Sequence, residues 1–289
     1  MNKQPLISVL IANYNNGKFL VGAINSVYNQ TYANWEIIIV DDASTDNSQH
    51  IYDMYVDEKR IKVYKNEKNH GVAFTRKRLI DVASSEYMCF LDPDDELTPN
   101  ALEDHINVHI THPEVSIIYS RRYLCDEYLN IQDESRILHI PEDKSYFTLK
   151  DFREEHLVSF KKSYYLQTEG MNPLYRLAED THMNFIMEEV GVPYCLDKIC
   201  YKYRRNTNNQ LTSDYARHMF WNMLVQYDTC KRRGINVESQ IYEWFEDSVS
   251  FISKKQIYEK EMVVRNSLAY KLGNAILKPI KIIKSIIRK

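Results

Sequence analysis

The chain has 289 residues, 44% of them hydrophobic and 27% charged, which fits one large globular domain or a domain with an appendage and excludes an extended disordered chain. A formal net charge of −3 gives no overall attraction to nucleic acid, so charge has to be read locally. Cys89, Cys125, Cys195, Cys200 and Cys230 are scattered without a CxxC pair, which argues against a zinc site or disulfide framework and for small apolar residues in a reduced, cytosolic setting.

Met1-Asn2-Lys3-Gln4-Pro5 runs into a polar-interrupted strand, unlike the apolar core of a signal peptide, and no stretch reaches the roughly 18 uninterrupted apolar residues of a transmembrane helix. From there apolar runs alternate with amphipathic ones. Strands are predicted at 7–12, 35–40, 61–64 and 87–91, with helices at 19–28, 44–56 and 72–83 between them. This βαβαβαβ order implies an α/β domain whose mainly parallel sheet is covered on both faces. Ser44, Asp46 or Ser48 is available to cap the second helix, leaving Asp41 and Asp42 beside its positive end. Thr98-Pro99 opens a further helix that closes before His112-Pro113, and 115–119 resumes as a strand. His105, His109 and His112 fall at helical spacing, but no carboxylate completes a metal signature, so they are expected to be exposed helix histidines.

The strand at 87–91 delivers Asp92-Pro93-Asp94-Asp95, three carboxylates that repel one another unless a hard divalent cation, shared with substrate phosphates, offsets them. In open α/β sheets ligands sit beyond the carboxyl ends of the strands, where this cluster falls. Later, Glu179-Asp180 begins an amphipathic helix whose Met183, Ile186, Met187 and Val190 mark its apolar face; the two acids suit either a helix N-terminus or a catalytic base. Beyond residue 213 the pattern is helical, at 215–233, 239–253 and 254–272. From Lys271 to Lys289 every ionisable side chain is basic and interleaved with leucine and isoleucine. Pro279 breaks that tail into pieces too short to span a bilayer; contact with an anionic membrane interface, docking on its own domain and partner binding all remain open.

Taken in order, Ile7-Ser8-Val9-Leu10-Ile11-Ala12-Asn13-Tyr14-Asn15, Ser26-Val27-Tyr28-Asn29-Gln30-Thr31-Tyr32, Trp35 to Asp46, Asn69-His70-Gly71, Asp92-Pro93-Asp94-Asp95 and Ala178-Glu179-Asp180 resemble the blocks of the family 2 glycosyltransferases. The resemblance implies a GT-A fold, a Rossmann-like mainly parallel sheet flanked by helices, over 1–213. Its nucleotide half is 1–96 and its acceptor half 97–213, followed by a helical extension at 214–270 and the basic tail at 271–289. It implies Ala12 and Tyr14 as nucleotide contacts, Asp42 as reader of a base edge, and Asp92 at the ribose. Asp94 and Asp95 become ligands of Mn2+ or Mg2+, Asp180 the catalytic base and Glu179 its support. Residues 159–171 look like the segment before this acid where the acceptor docks. The family pattern after Gly71, Ala-Arg-Asn-x-Gly, is replaced by Thr75-Arg76-Lys77-Arg78-Leu79, which keeps an arginine; Arg76 is the expected phosphate contact because guanidinium pairs bidentately with phosphate. Arg204 and Arg205 are further candidates, in a segment that lacks the family's frequent histidine.

The expected activity is metal-dependent, inverting transfer of a hexose or related sugar from a nucleotide-diphosphate donor, a UDP-sugar first, to a hydroxyl of a glycan or lipid-linked glycan. Its expected setting is bacterial surface polysaccharide assembly, in the cytoplasm or peripherally on the inner face of the cell membrane. A non-catalytic nucleotide-sugar scaffold or sensor of the same fold is the alternative. Nucleotidyl transfer is disfavoured by the missing glycine-rich loop, since Asn15-Asn16-Gly17 is a poor substitute, and an aspartate-nucleophile phosphatase by Glu96 after the acidic cluster.

Overall fold

The computed structural model describes residues 4–136, 145–148, 156–205 and 215–238. The first half of the sheet is built from β1 (Ile7–Asn13), α1 (Gly17–Tyr28), β2 (Trp35–Asp41), α2 (Ser48–Asp53), β3 (Ile61–Lys65), α3 (Val72–Val82) and β4 (Tyr87–Phe90). β1 is paired in parallel with β2 on one side and β4 on the other, and β2 with β3. Successive connections thus leave β1 in opposite directions, which opens a crevice at the carboxyl ends of β1 and β4. Every residue of β2 is buried, as a strand covered on both faces requires. Its one internal acid, Glu36, is satisfied by Ser8 Oγ at 2.7 Å and Lys62 Nζ at 2.8 Å. α1 buries Leu20, Ala23, Ile24 and Val27, the helical stripe visible in its sequence.

α2 is shorter than its pattern predicts. Residues 44–47 are instead held as a loop: the Asn15 amide donates to Ser44 Oγ at 2.9 Å, the Thr45 amide to Asn15 Oδ1 at 2.7 Å, and the Gly17 and Ser48 amides to the Asp46 carboxylate at 2.8 and 3.0 Å. These side-chain bonds give the backbone an alternative to another helical turn. Gly17 is required by this packing, because a Cβ there would stand 2.5 Å from Asn47 Oδ1 and 2.8 Å from the Ser48 amide nitrogen. Asp42 also departs from expectation. Its carboxylate takes the His70 and Gly71 amides, at 3.0 and 2.8 Å, and so lies ahead of α3 and not beside α2, where Asp41 remains through the Ser44 amide at 3.3 Å.

The second half adds β5 (Glu96–Leu97), α4 (Ala101–Thr111), β6 (Val115–Cys125), β7 (Ile131–Glu134), β8 (Val158–Lys161), α5 (Lys162–Tyr165), α6 (Glu179–Glu188) and β9 (Val192–Arg204). β8 runs antiparallel between β4 and β6, while β6 and β9 are parallel, so the sheet order is β3-β2-β1-β4-β8-β6-β9-β5, with β7 on β6. The core is continuous across both halves, from Ile7, Val9 and Ile39 to Leu102, Ile106 and Tyr201.

The expectation of exposed helix histidines does not hold: His112, just past the end of α4, is half-buried and meets Glu114 Oε1 at 3.3 Å. His105 and His109, one turn apart on the inner face, are buried, and their Nδ1 and Nε2 atoms meet Ser159 Oγ on β8 at 2.7 and 2.9 Å. Burial pushes His105 down to about 3 and His109 well below the usual histidine range, so both are neutral core groups. No disulfide joins the five cysteines, and four of them are buried.

α7 (Tyr215–Arg233) takes the span predicted for the first C-terminal helix, and Thr181 Oγ1 bonds its Asn222 at 2.9 Å. The first compact unit ends at Thr229 and a second begins at Cys230. The predicted helices at 239–253 and 254–272 and the basic tail at 271–289 lie outside the described residues.

Candidate active site

At the carboxyl ends of β1, β2 and β4 the chain encloses a cleft of about 640 Å3. Ala12 and Tyr14 line it at the end of β1, with Tyr14 45% exposed and its ring open to a ligand. The loop that carries them is fixed from below: Asn13 Nδ2 donates to Ser48 Oγ at 2.9 Å and Tyr52 OH at 2.7 Å. Asn15 and Ala43, on the two loops that face each other here, have φ of 54° and 62°. Such left-handed backbone in non-glycine residues persists only where surrounding bonds enforce it.

The acidic cluster forms a tight turn, with the Asp95 amide on the Asp92 carbonyl at 3.1 Å. Asp92 and Asp94 are partly exposed in the cleft, whereas Asp95 is 2% exposed and accepts the Arg204 amide at 2.7 Å. Burial, then the charges of Asp94 and Asp92, hold the Asp95 carboxyl well above its ordinary range. A divalent cation fits this set: the donors are hard carboxylate oxygens, and the repulsion from Asp94 and Asp92 that adds to burial at Asp95 is what a cation offsets. Among the described residues no three His, Cys, Asp or Glu side chains form a ready cage, so ligand oxygens would complete the coordination, as Mg2+ and Mn2+ sites that share substrate phosphates require.

Across the cleft, Ala178 adopts φ 63° and turns the chain so that Glu179 and Asp180 open α6 facing the acidic cluster. Arg76, from α3, joins the two motifs: its Nη2 lies 2.9 Å from Asp92 Oδ1 and its Nη1 3.1 Å from Glu179 Oε1. Burial, then the neighbouring Asp180, push Glu179 up to about 7 against the opposing pull of Arg76. Asp180 is less buried, with Oδ1 accepting the Thr181 amide at 2.9 Å. Of the other cations on α3, Lys77 pairs with Asp81 outside the cleft, and Arg78 bonds Asn66 and the Lys65 carbonyl, because successive helix positions point in different directions.

The two candidates at the end of β9 part ways for the same kind of reason. Arg204 lines the cleft, but its guanidinium donates to the carbonyls of Asp94 and Glu127, both at 2.6 Å. Arg205, the next residue, is exposed, its amide on the Cys125 carbonyl at 3.1 Å, and is not part of the lining. Sequence reasoning missed His156, Tyr203, Arg176, Arg217 and His218, which also line the cleft. Desolvation, then the nearby Arg122, push His156 down to about 4. Arg176, three residues before Glu179, and Tyr203, beside Arg204, carried a signal by proximity; His156, Arg217 and His218 reach the cleft through packing of segments distant in the chain.

The family model for glycosyl transferase family 2 matches residues 8–168. The putative colanic acid biosynthesis glycosyl transferase WcaA of Escherichia coli K12 is 33% identical over 162 residues, 55% of this chain and 56% of that protein, so the chain spans about half the length of this relative. TarS 1-349 of Staphylococcus aureus, solved with UDP-GlcNAc, superposes with a TM-score of 0.62 at 19% identity, covering 85% of this chain and 73% of that one. The Pyrobaculum calidifontis mannosyltransferase PcManGT, solved with GDP-Man and Mn2+, gives 0.59 at 14% identity over 95% and 84%. These likenesses reproduce the mixed sheet and flanking helices of the GT-A fold. The chain therefore belongs to glycosyl transferase family 2.

Proposed function

We propose that the chain is a metal-dependent, inverting glycosyltransferase that moves a sugar from a nucleotide-diphosphate donor to a hydroxyl of a glycan or lipid-linked glycan. The observation that carries this reading is the meeting of Asp92 and Asp94 with Glu179 and Asp180 across one cleft, through the shared Arg76. Tyr14 stacks on the base, and Asp42, oriented by the His70 and Gly71 amides, accepts a base N–H with a remaining lone pair. Asp92 bonds the ribose, and Asp94 with Asp95 holds Mn2+ or Mg2+. When bound, that ion neutralises charge developing on the departing diphosphate.

Asp180 is the base and not Glu179, because Glu179 is already ion-paired with Arg76 while Asp180 is more open to the cleft. Its carboxylate takes the proton of the acceptor hydroxyl as that oxygen bonds the anomeric carbon. The bond from carbon to the diphosphate oxygen breaks on the opposite face, and the configuration inverts. Setting and acceptor class follow the relative named for colanic acid synthesis and, outside the described residues, the basic amphipathic sequence at 271–289, which suits an anionic membrane face. No helix among the described residues is long and apolar enough to cross a membrane.

A panel of nucleotide-sugars tests the reading through Mn2+-dependent binding and slow donor hydrolysis, in the intact chain and in Asp94→Ala/Asp95→Ala. Selection of one donor by the intact chain, lost in the variant, is expected. A folded wild-type chain that binds no donor would turn the reading toward a scaffold.

A further inference from the structure

The cleft is rich in carboxylates, and most of its cations are already committed. Arg76 serves Asp92 and Glu179, Arg204 serves two backbone carbonyls, and Arg217 makes an interaction of its own. The amides leading into α3 are spent as well, since both His70 and Gly71 donate to Asp42. A nucleoside diphosphate entering such a site needs positive charge that is still available.

Arg176 provides it. It is exposed, lines the cleft from the loop before α6, and no ion pair or hydrogen bond joins it to any described residue. Its Nη1 lies 3.9 Å from where a Cβ on Gly71 would stand, so a guanidinium from the acceptor half reaches the wall that carries Asp42 in the nucleotide half. Gly71, at φ 94°, has no side chain to occupy the intervening space.

We propose that Arg176 binds the diphosphate of the donor across the cleft and is the residue that separates nucleoside diphosphates from nucleosides. This rests on the nucleotide-sugar reading above. A ligand with its base at Asp42 and its phosphates directed toward Asp92 and Asp94 passes within reach of this side chain. A planar guanidinium then supplies two parallel N–H donors to phosphate oxygens, which a lysine at the same place offers only as a point charge. Because no described residue pairs with the group before binding, no ion pair among them has to be broken to use it.

The test is calorimetric titration of the full chain, wild type, Arg176→Ala and Arg176→Lys, with UDP and uridine and with GDP and guanosine in the presence of Mn2+, weak ligands being measured by competition. For the diphosphate that the wild type prefers, Kd should rise roughly tenfold or more in Arg176→Ala, the loss of one charge-assisted contact, and less in Arg176→Lys. The matching nucleoside should change by less than about twofold, since the base site is untouched. An unchanged thermal midpoint is expected from an exposed side chain with no partner among the described residues, and separates a binding loss from a folding loss. Equal weakening of diphosphate and nucleoside, or no change in either, overturns the assignment while leaving donor binding intact. A wild-type chain that binds no nucleoside diphosphate overturns the assignment and the proposed function together.

Discussion

Replacing Arg76 with methionine probes the link between the two acidic motifs. Methionine keeps a long apolar stem near Phe90, whose ring centroid lies 5.0 Å from the guanidinium carbon, but deletes the charge that Asp92 and Glu179 share. Removing one partner of a buried ion pair costs on the order of 3–5 kcal/mol. Two features put this site at the lower end. The Asp92 side chain retains 31% exposure, and Glu179, already pushed up to about 7, can take a proton and so avoid being an unpaired anion. A loss of about 3 kcal/mol is therefore expected at pH 8. The pH dependence gives the sharper test. In the wild type the folded chain holds the Glu179 proton more tightly than the unfolded chain, whose carboxyl titrates near 4.5, so this group's contribution to stability falls as pH rises from about 4.5 to about 7 and is level above that. Without Arg76 the folded carboxyl titrates higher still, and the variant continues to lose stability above pH 7 by up to about 1.4 kcal/mol per pH unit. Urea unfolding of both proteins at pH 6 and pH 8.5 measures the difference. Equal penalties at the two pH values would refute the coupling of Arg76 to Glu179.

Asp180→Asn should spare donor binding and remove most transfer, at least about a hundredfold in kcat, as expected when a general base is lost; steady-state turnover beside donor titration checks it, and unchanged turnover rejects the assigned base. Gly17→Ala should destabilise the fold by about 1–3 kcal/mol, because the new methyl meets the Ser48 backbone and not only the Asn47 side chain; denaturant midpoints report this, and a neutral result rejects the close approach of α1 to α2. The buried pair His105 and His109 titrates far below the unfolded value of 6.5, so the unfolded chain binds protons that the folded one does not, and their contribution to stability is lost as pH falls below 6.5. His109→Gln should therefore flatten the acid limb of stability between pH 6.5 and 4 by up to about 1.4 kcal/mol per pH unit, and an unchanged slope in urea unfolding would show that His109 is protonated in the folded state.

By itself the sequence determined the elements that rest on local periodicity. The buried runs of β1 and β2, the apolar stripe of α1, the span of α7 and the acidic turn after β4 could all be read from it, because residues covered on both faces or on one helical stripe announce themselves in the chain. The ordered motifs likewise placed Tyr14, Asp42, Asp92, Asp94, Glu179 and Asp180 in one site, and the cleft contains all six. Only the tertiary structure decided how those charges are spent. The shortening of α2, the turn of Asp42 toward α3 and the burial of His105 and His109 depend on partners at Asn15, Gly71 and Ser159, far away in the chain. The same holds for the arginines. Arg76, Arg204 and Arg176 look alike in a linear sequence, yet packing gives the first to two carboxylates and the second to two carbonyls, and leaves the third exposed at the cleft. Periodicity reports which face of an element is covered; it does not report which opposite charge the covering element brings, and that pairing sets what each cation remains free to bind.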